Sequence, residues 1–77
     1  MNQPTNEVFL DLRGLPAPEP MERVLDALEK LGPGQQVRML IEREPHPLYR
    51  LLTRCGYPFT ATASPAGLFE LVIGHTR

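Results

Sequence analysis

The stretch Asp11-Leu12-Arg13-Gly14-Leu15-Pro16-Ala17-Pro18-Glu19-Pro20 does most to limit what this chain can fold into. It holds three of the chain's nine prolines. Proline fixes its own φ and lacks an amide donor. Helix interiors and central strands exclude it, whereas the first helical turn accepts it. The decapeptide is therefore a junction. Before it, Val8, Leu10 and Leu12 alternate with Phe9, Asp11 and Arg13, the period of a strand with one buried face. After it, Met21, Val24, Leu25, Leu28 and Leu31 fall on one stripe of an amphipathic helix. Glu22, Arg23, Asp26, Glu29 and Lys30 take the opposite face. Gly14 ends the strand, and Pro18 and Pro20 mark the helix start.

The remaining punctuation is as regular. Gly32-Pro33-Gly34 stops the first helix. Val37, Met39 and Ile41 alternate with Arg38, Leu40 and Glu42 as a second strand, and Glu44-Pro45-His46-Pro47 is a second proline turn. Leu48, Leu51, Leu52 and Cys55 then form the stripe of a shorter helix capped by Gly56, with Cys55 expected as a small core residue. Phe59, Ala61 and Ala63 alternate with Thr60 and Thr62. After the turn Ser64-Pro65-Ala66-Gly67 comes a last strand, Leu68 to Ile73. Its inward set is Phe69, Leu71 and Ile73, since the opposite parity would bury the Glu70 carboxylate. Met1 to Asn6 is polar and expected to be flexible, and Gly74-His75-Thr76-Arg77 is a tail.

The order is β-α-β-α-β-β. A β-α-β start implies two parallel strands joined by a right-handed crossover. Two strands separated by a short turn pair antiparallel. Two helices suffice to cover one sheet face, which gives a two-layer α/β (α+β) sandwich.

Composition limits the functional classes. Seventy-seven residues make one domain, 1–77, whose folding buries only about 60% of the unfolded surface. Net charge is −1 with no basic block, which argues against nucleic acid as a partner. No run of about 18 apolar residues is present, so no membrane span is expected. The single cysteine excludes an internal disulfide and fits a reducing compartment, the cytoplasm. No pair of carboxylates, Ser-His-Asp set or phosphate-cradling glycine loop stands out, and one histidine makes no metal site. No cofactor is expected.

Leu10-Asp11-x-Arg13-Gly14-Leu15, a spacer, a small residue and Pro18-x-Pro20 resemble the signature of the TusA-like (SirA-like) sulfur-carrier proteins, Leu-Asp-x-Arg-Gly-Leu-x-Cys-Pro-x-Pro. Every constant place matches except the cysteine, where this chain has Ala17. Element order and the Pro33-Gly34 break extend the resemblance over nearly the whole chain. It implies a mixed four-stranded sheet of order 1-2-4-3 with both helices on one face. The chain is more closely similar to a cysteine-less branch of that superfamily. Members of this branch carry a His-x-Leu-Tyr-like turn and a Gly-Tyr after the second helix, here His46-Pro47-Leu48-Tyr49 and Gly56-Tyr57. The branch is of uncharacterised function and occurs as small proteins or fused to hemerythrin-like domains. The family's thiol lies at a helix N-terminus, which favours thiolate. Ala17 has no sulfur, so no catalytic residue is expected and sulfur relay cannot run at this position. A persulfide carrier using Cys55 is the third-ranked alternative.

Both proline turns leave parallel strands at the same sheet edge, where α/β folds favour ligands. Arg13, Ala17, Glu19, His46 and Arg50 are the expected residues of a ligand or partner edge. His46 suits a metal or haem contact; the plainer roles are an N-cap before Pro47 or packing on Tyr49. Arg13 suits an anion; the plainer role is an ion pair with Glu19 or Asp11. A second surface is the helix-free face, where Phe9, Leu40, Leu68 and Val72 form an apolar centre ringed by Asp11, Arg38, Glu42 and Thr60. The first reading is thus a non-catalytic module that docks a protein partner, as a monomer or weak dimer. The alternative is ligand, metal or haem binding at His46 and Arg13.

Overall fold

A computed structural model describes residues 7–75. The elements are β1 (Glu7–Asp11), α1 (Glu19–Glu29), β2 (Gln36–Ile41), α2 (His46–Cys55), β3 (Phe59–Ala63) and β4 (Phe69–Gly74). The sheet order is β1-β2-β4-β3. Strands β1 and β2 are parallel, and the other two pairs are antiparallel. This is the two-layer sandwich that the residue pattern and the resemblance imply. The expected flexible start, 1–6, lies outside the described residues, as do Thr76 and Arg77 of the tail.

Strand parity is as read. Val37, Met39, Leu71 and Ile73 are fully buried, and Ile41 nearly so. They meet Val24 and Leu28 of α1 and Leu48 and Leu52 of α2 in one core. Each such side chain contributes roughly 1.5–3 kcal/mol by leaving water. Leu12 lies just past β1 but keeps its parity: it is 1% exposed, and its N–H donates to the Leu40 carbonyl at 2.9 Å. Pro18 is the N-cap of α1 and Pro20 its second residue, as the helix start requires.

The structure departs from the sequence reading at four places. Leu25 is 40% exposed. At about 100° per residue it stands 60° or so round from Leu28, on the shoulder of the stripe. Helix α1 ends at Glu29, ahead of Gly32-Pro33-Gly34, and Leu31 turns back into the core. Cys55, expected in the core, is exposed. It is the last residue of α2, where Gly56 takes φ 81°. The Tyr57 N–H donates to the Leu52 carbonyl at 2.9 Å and the Gly56 N–H to Thr53 at 3.2 Å. This Schellman closure folds Tyr57 against the core at the end of the stripe and leaves Cys55 outside. Finally, Ala61 and Ala63 are exposed although their parity is inward. Strand β3 is the outermost strand, and the two helices do not shield it beyond Phe59.

Glu70 is half-buried yet not unpaired, because Arg38 spans the sheet. Its guanidinium contacts Glu7 at 3.0 Å and Glu70 at 3.2 Å, tying β1 and β4 across β2. The hydrogen bond from Arg38 holds the Glu7 carboxyl below its usual range.

Truncating the buried centre tests this layout. Met39→Ala removes a side chain with no exposure from the middle of β2. It should lower the unfolding free energy by about 2–5 kcal/mol, read from urea midpoints. Leu25→Ala should change them little.

Candidate functional site

Parallel pairing brings the carboxyl ends of β1 and β2 out side by side. Each then enters a proline turn. In the first, Gly14 takes φ 80°, the Leu15 N–H reaches the Leu12 carbonyl at 3.4 Å and the Glu19 N–H reaches Pro16 at 2.9 Å. In the second, the His46 N–H donates to Glu44 at 3.0 Å, and the Leu48 and Tyr49 N–H groups close on the Pro45 carbonyl. One side chain joins the turns. Glu42, the first residue after β2, accepts the Gly14 N–H on both carboxylate oxygens, at 2.9 and 3.1 Å. A backbone donor that no strand or helix partner satisfies is thus paired with a charge, a stronger bond than a neutral one.

Between the turns lies a cleft of about 810 Å³. Its walls include Leu15, Ala17, Met21, Ile41, Pro47 and Leu48. Val24 and Met39 of the core lie at its floor, and the exposed Glu42, Arg43 and Glu44 contribute charge. The site is concave and mainly apolar with a few polar groups, the usual character of a binding cleft.

Of the five residues expected at this edge, only Ala17 lines the cleft. Arg13 is turned to Asp11 in a bidentate pair, Nε to Oδ1 at 2.8 Å and Nη2 to Oδ2 at 2.7 Å. That pair, with the Arg13 backbone N–H, holds the Asp11 carboxyl down at about 2. Glu19 bonds Arg23 one helical turn on, at 2.8 Å. His46 is the first residue of α2, not its N-cap, which is Pro45. Its Nε2 is 3.4 Å from Glu44, and its ring meets Tyr49 edge-on at 5.6 Å. Arg50 is exposed on α2. Among the described residues, no group of three or more His, Cys, Asp or Glu side chains is placed to hold a metal ion.

The sequence reading missed Glu42, Arg43, Leu15 and Met21. The alternation of β2 puts Glu42 on the helix-free face. Its position directly after an inward-facing strand end was the available signal that it could reach the neighbouring turn. On the helix-free face itself, Phe9 is 53% exposed, and Leu40, Leu68 and Val72 are half-buried. Register places Arg38 between Phe9 and Val72. Arg38 is therefore at the middle of that face and not on a surrounding ring, and its carboxylate partners divide the apolar area.

Residues 9–75 match a family described as an uncharacterized conserved protein, DUF2249, and the chain belongs to that family. No curated protein matches it. Among solved structures it is similar to the SirA-like protein of Desulfitobacterium hafniense. The TM-score is 0.77 at 23% identity, over 91% of this chain and 100% of that one. The likeness is one of fold, and it is the fold that the Pro18-x-Pro20 signature implies. No described helix is long and apolar enough to cross a membrane.

Two measurements check the site geometry. The folded-state pKa of Asp11 lies below its ordinary 3.8, at about 2. Its stabilising contribution is therefore present above pH 3.8 and is lost as pH falls towards 2. The slope of melting temperature against pH in that window should be shallower in Asp11→Asn than in wild type. Native protein should also react with a disulfide reagent at the single thiol as fast as an exposed model thiol does. Protection until denaturant is added would place Cys55 back in the core.

Proposed function

We propose that this chain is a non-catalytic docking module, a small TusA-like domain that binds a protein partner through the proline-turn cleft. The observation that carries the reading is the cleft wall. Apolar side chains line it, and Ala17 stands where the resembled signature has its sulfur. A partner's apolar side chain gains by leaving water there at about 25 cal/mol per Å². Arg43 and Glu44, with opposite charges, supply orientation more than affinity. The helix-free face around Phe9 and Leu40 offers a second contact area. By analogy of fold, partners in sulfur, redox or metalloprotein pathways suit this role, in the cytoplasm.

Chemistry at the cleft has no atom to run on at Ala17. Cys55 lies at the far end of α2, about 15 Å of helix away from the turn at His46. A persulfide there would stand outside the cleft.

The test is site-specific photocrosslinking in the native host. A benzophenone side chain at Leu15 or Pro47 should trap one discrete protein, and the same group at Lys30, exposed just past the end of α1, should not. Met21→Asp should abolish the adduct while His46→Ala leaves it intact. Equal labelling from all three positions, or adduct loss only with His46→Ala, would overturn the docking reading.

A further inference from the structure

The sheet has two outer edges, and they differ in chemistry. On the β1 edge, the Leu12 N–H donates to the Leu40 carbonyl of β2. Backbone groups alternate in direction along a strand, so Glu7, Phe9 and Asp11 turn theirs outward. Antiparallel self-pairing about Phe9 would place Glu7 opposite the partner's Asp11. Like charges directly opposite are destabilising, and charged residues are the usual guard on an open edge.

The β3 edge has no such guard. Its residues, Phe59-Thr60-Ala61-Thr62-Ala63, carry no charge, and Thr60 to Ala63 are exposed. Their bonding direction follows from the two ends of the hairpin. The Gly74 N–H donates to the Pro58 carbonyl at 2.8 Å, and the Ser64 N–H donates to Leu68 at 2.8 Å. Alternation then gives Thr60 and Thr62 the bonds to their register partners Val72 and Glu70. Phe59, Ala61 and Ala63 direct both N–H and C=O away from the sheet, and no described residue pairs with them.

We propose that β3 is a homodimerisation edge, pairing antiparallel with β3 of a second copy about a two-fold axis at Ala61. This register is self-complementary at every position. Ala61 faces the partner's Ala61, Phe59 faces the partner's Ala63, and the reverse pair repeats by symmetry. Each of these facing pairs exchanges two backbone bonds. Large opposes small at the Phe59 positions, where the partner's Phe59 stands beside the exposed Ala63 methyl. On the other face Thr60 opposes the partner's Thr62, a favourable cross-strand pair. Pro58 and Pro65 bound the paired stretch, so pairing cannot run on past it. A net charge of −1 per chain opposes association only weakly. The dimer joins two four-stranded sheets into one and leaves both clefts open.

Sedimentation equilibrium on the full chain, up to millimolar concentration, should show a reversible approach to twice 8.7 kDa. Ala61→Lys places two like charges face to face at an exposed position and should weaken association at least about tenfold, a change of about 1.4 kcal/mol. Phe9→Lys, on the other edge, should not. Ala63→Lys is a second edge variant should Ala61→Lys fold poorly. Amide exchange supplies an independent readout: the Phe59, Ala61 and Ala63 amides should slow as concentration rises, whereas Thr60 and Thr62 are protected throughout. A wild type that stays monomeric overturns the proposal, including one that instead pairs β3 with a foreign strand. So does a dimer that survives both edge variants or is lost with Phe9→Lys.

Discussion

The parallel pairing of β1 with β2 is the constraint on which the rest of this small protein depends. Parallel neighbours require a crossover, and α1 supplies it. The same pairing delivers two chain exits to one sheet edge, and each exit becomes a proline turn leading into a helix. Had the strands paired antiparallel, the turns would lie at opposite ends of the sheet and no cleft would exist between them. The ladder is reinforced twice, by Arg38 reaching Glu7 and Glu70, and by Glu42 holding the Gly14 amide. Both ties involve charged groups on the partly solvated surface of the sheet. Their role is to fix relative position more than to add much stability.

Most of the fold could be read from the sequence because its information is local. Val37, Met39 and Ile41 announce a strand through a period of two, and Pro18 and Pro20 admit a helix start in only one place. What failed was reach. Periodicity gives the angle of a side chain around its own element but not how far the neighbouring layer extends. Cys55, Ala61 and Ala63 have inward angles and Leu25 stands on the shoulder of its stripe; all four are exposed because no opposing layer reaches them.

The site was legible to a lesser degree, for a related reason. Topology places both turns at one edge and the resemblance singles out Ala17, which does line the cleft. The polar candidates Arg13, Glu19 and His46 stand out as chemistry-bearing types, yet each has a partner within a few residues along the chain. The cleft is made by the space between two turns and by apolar residues such as Leu15 and Met21. Nothing in their identity distinguishes them from ordinary core. Concavity is a property of separation between segments, which no single segment encodes.

The contacts that shape the first turn have a consequence for how such a protein can change over generations. They run through the Gly14 amide, the Pro16 carbonyl, the Glu19 amide and the Glu42 carboxylate. The side chain at position 17 takes no part in them. Architecture and reactivity are therefore separable traits here. The residue at that position can be exchanged, alanine for a nucleophile or the reverse, without rebuilding the socket around it.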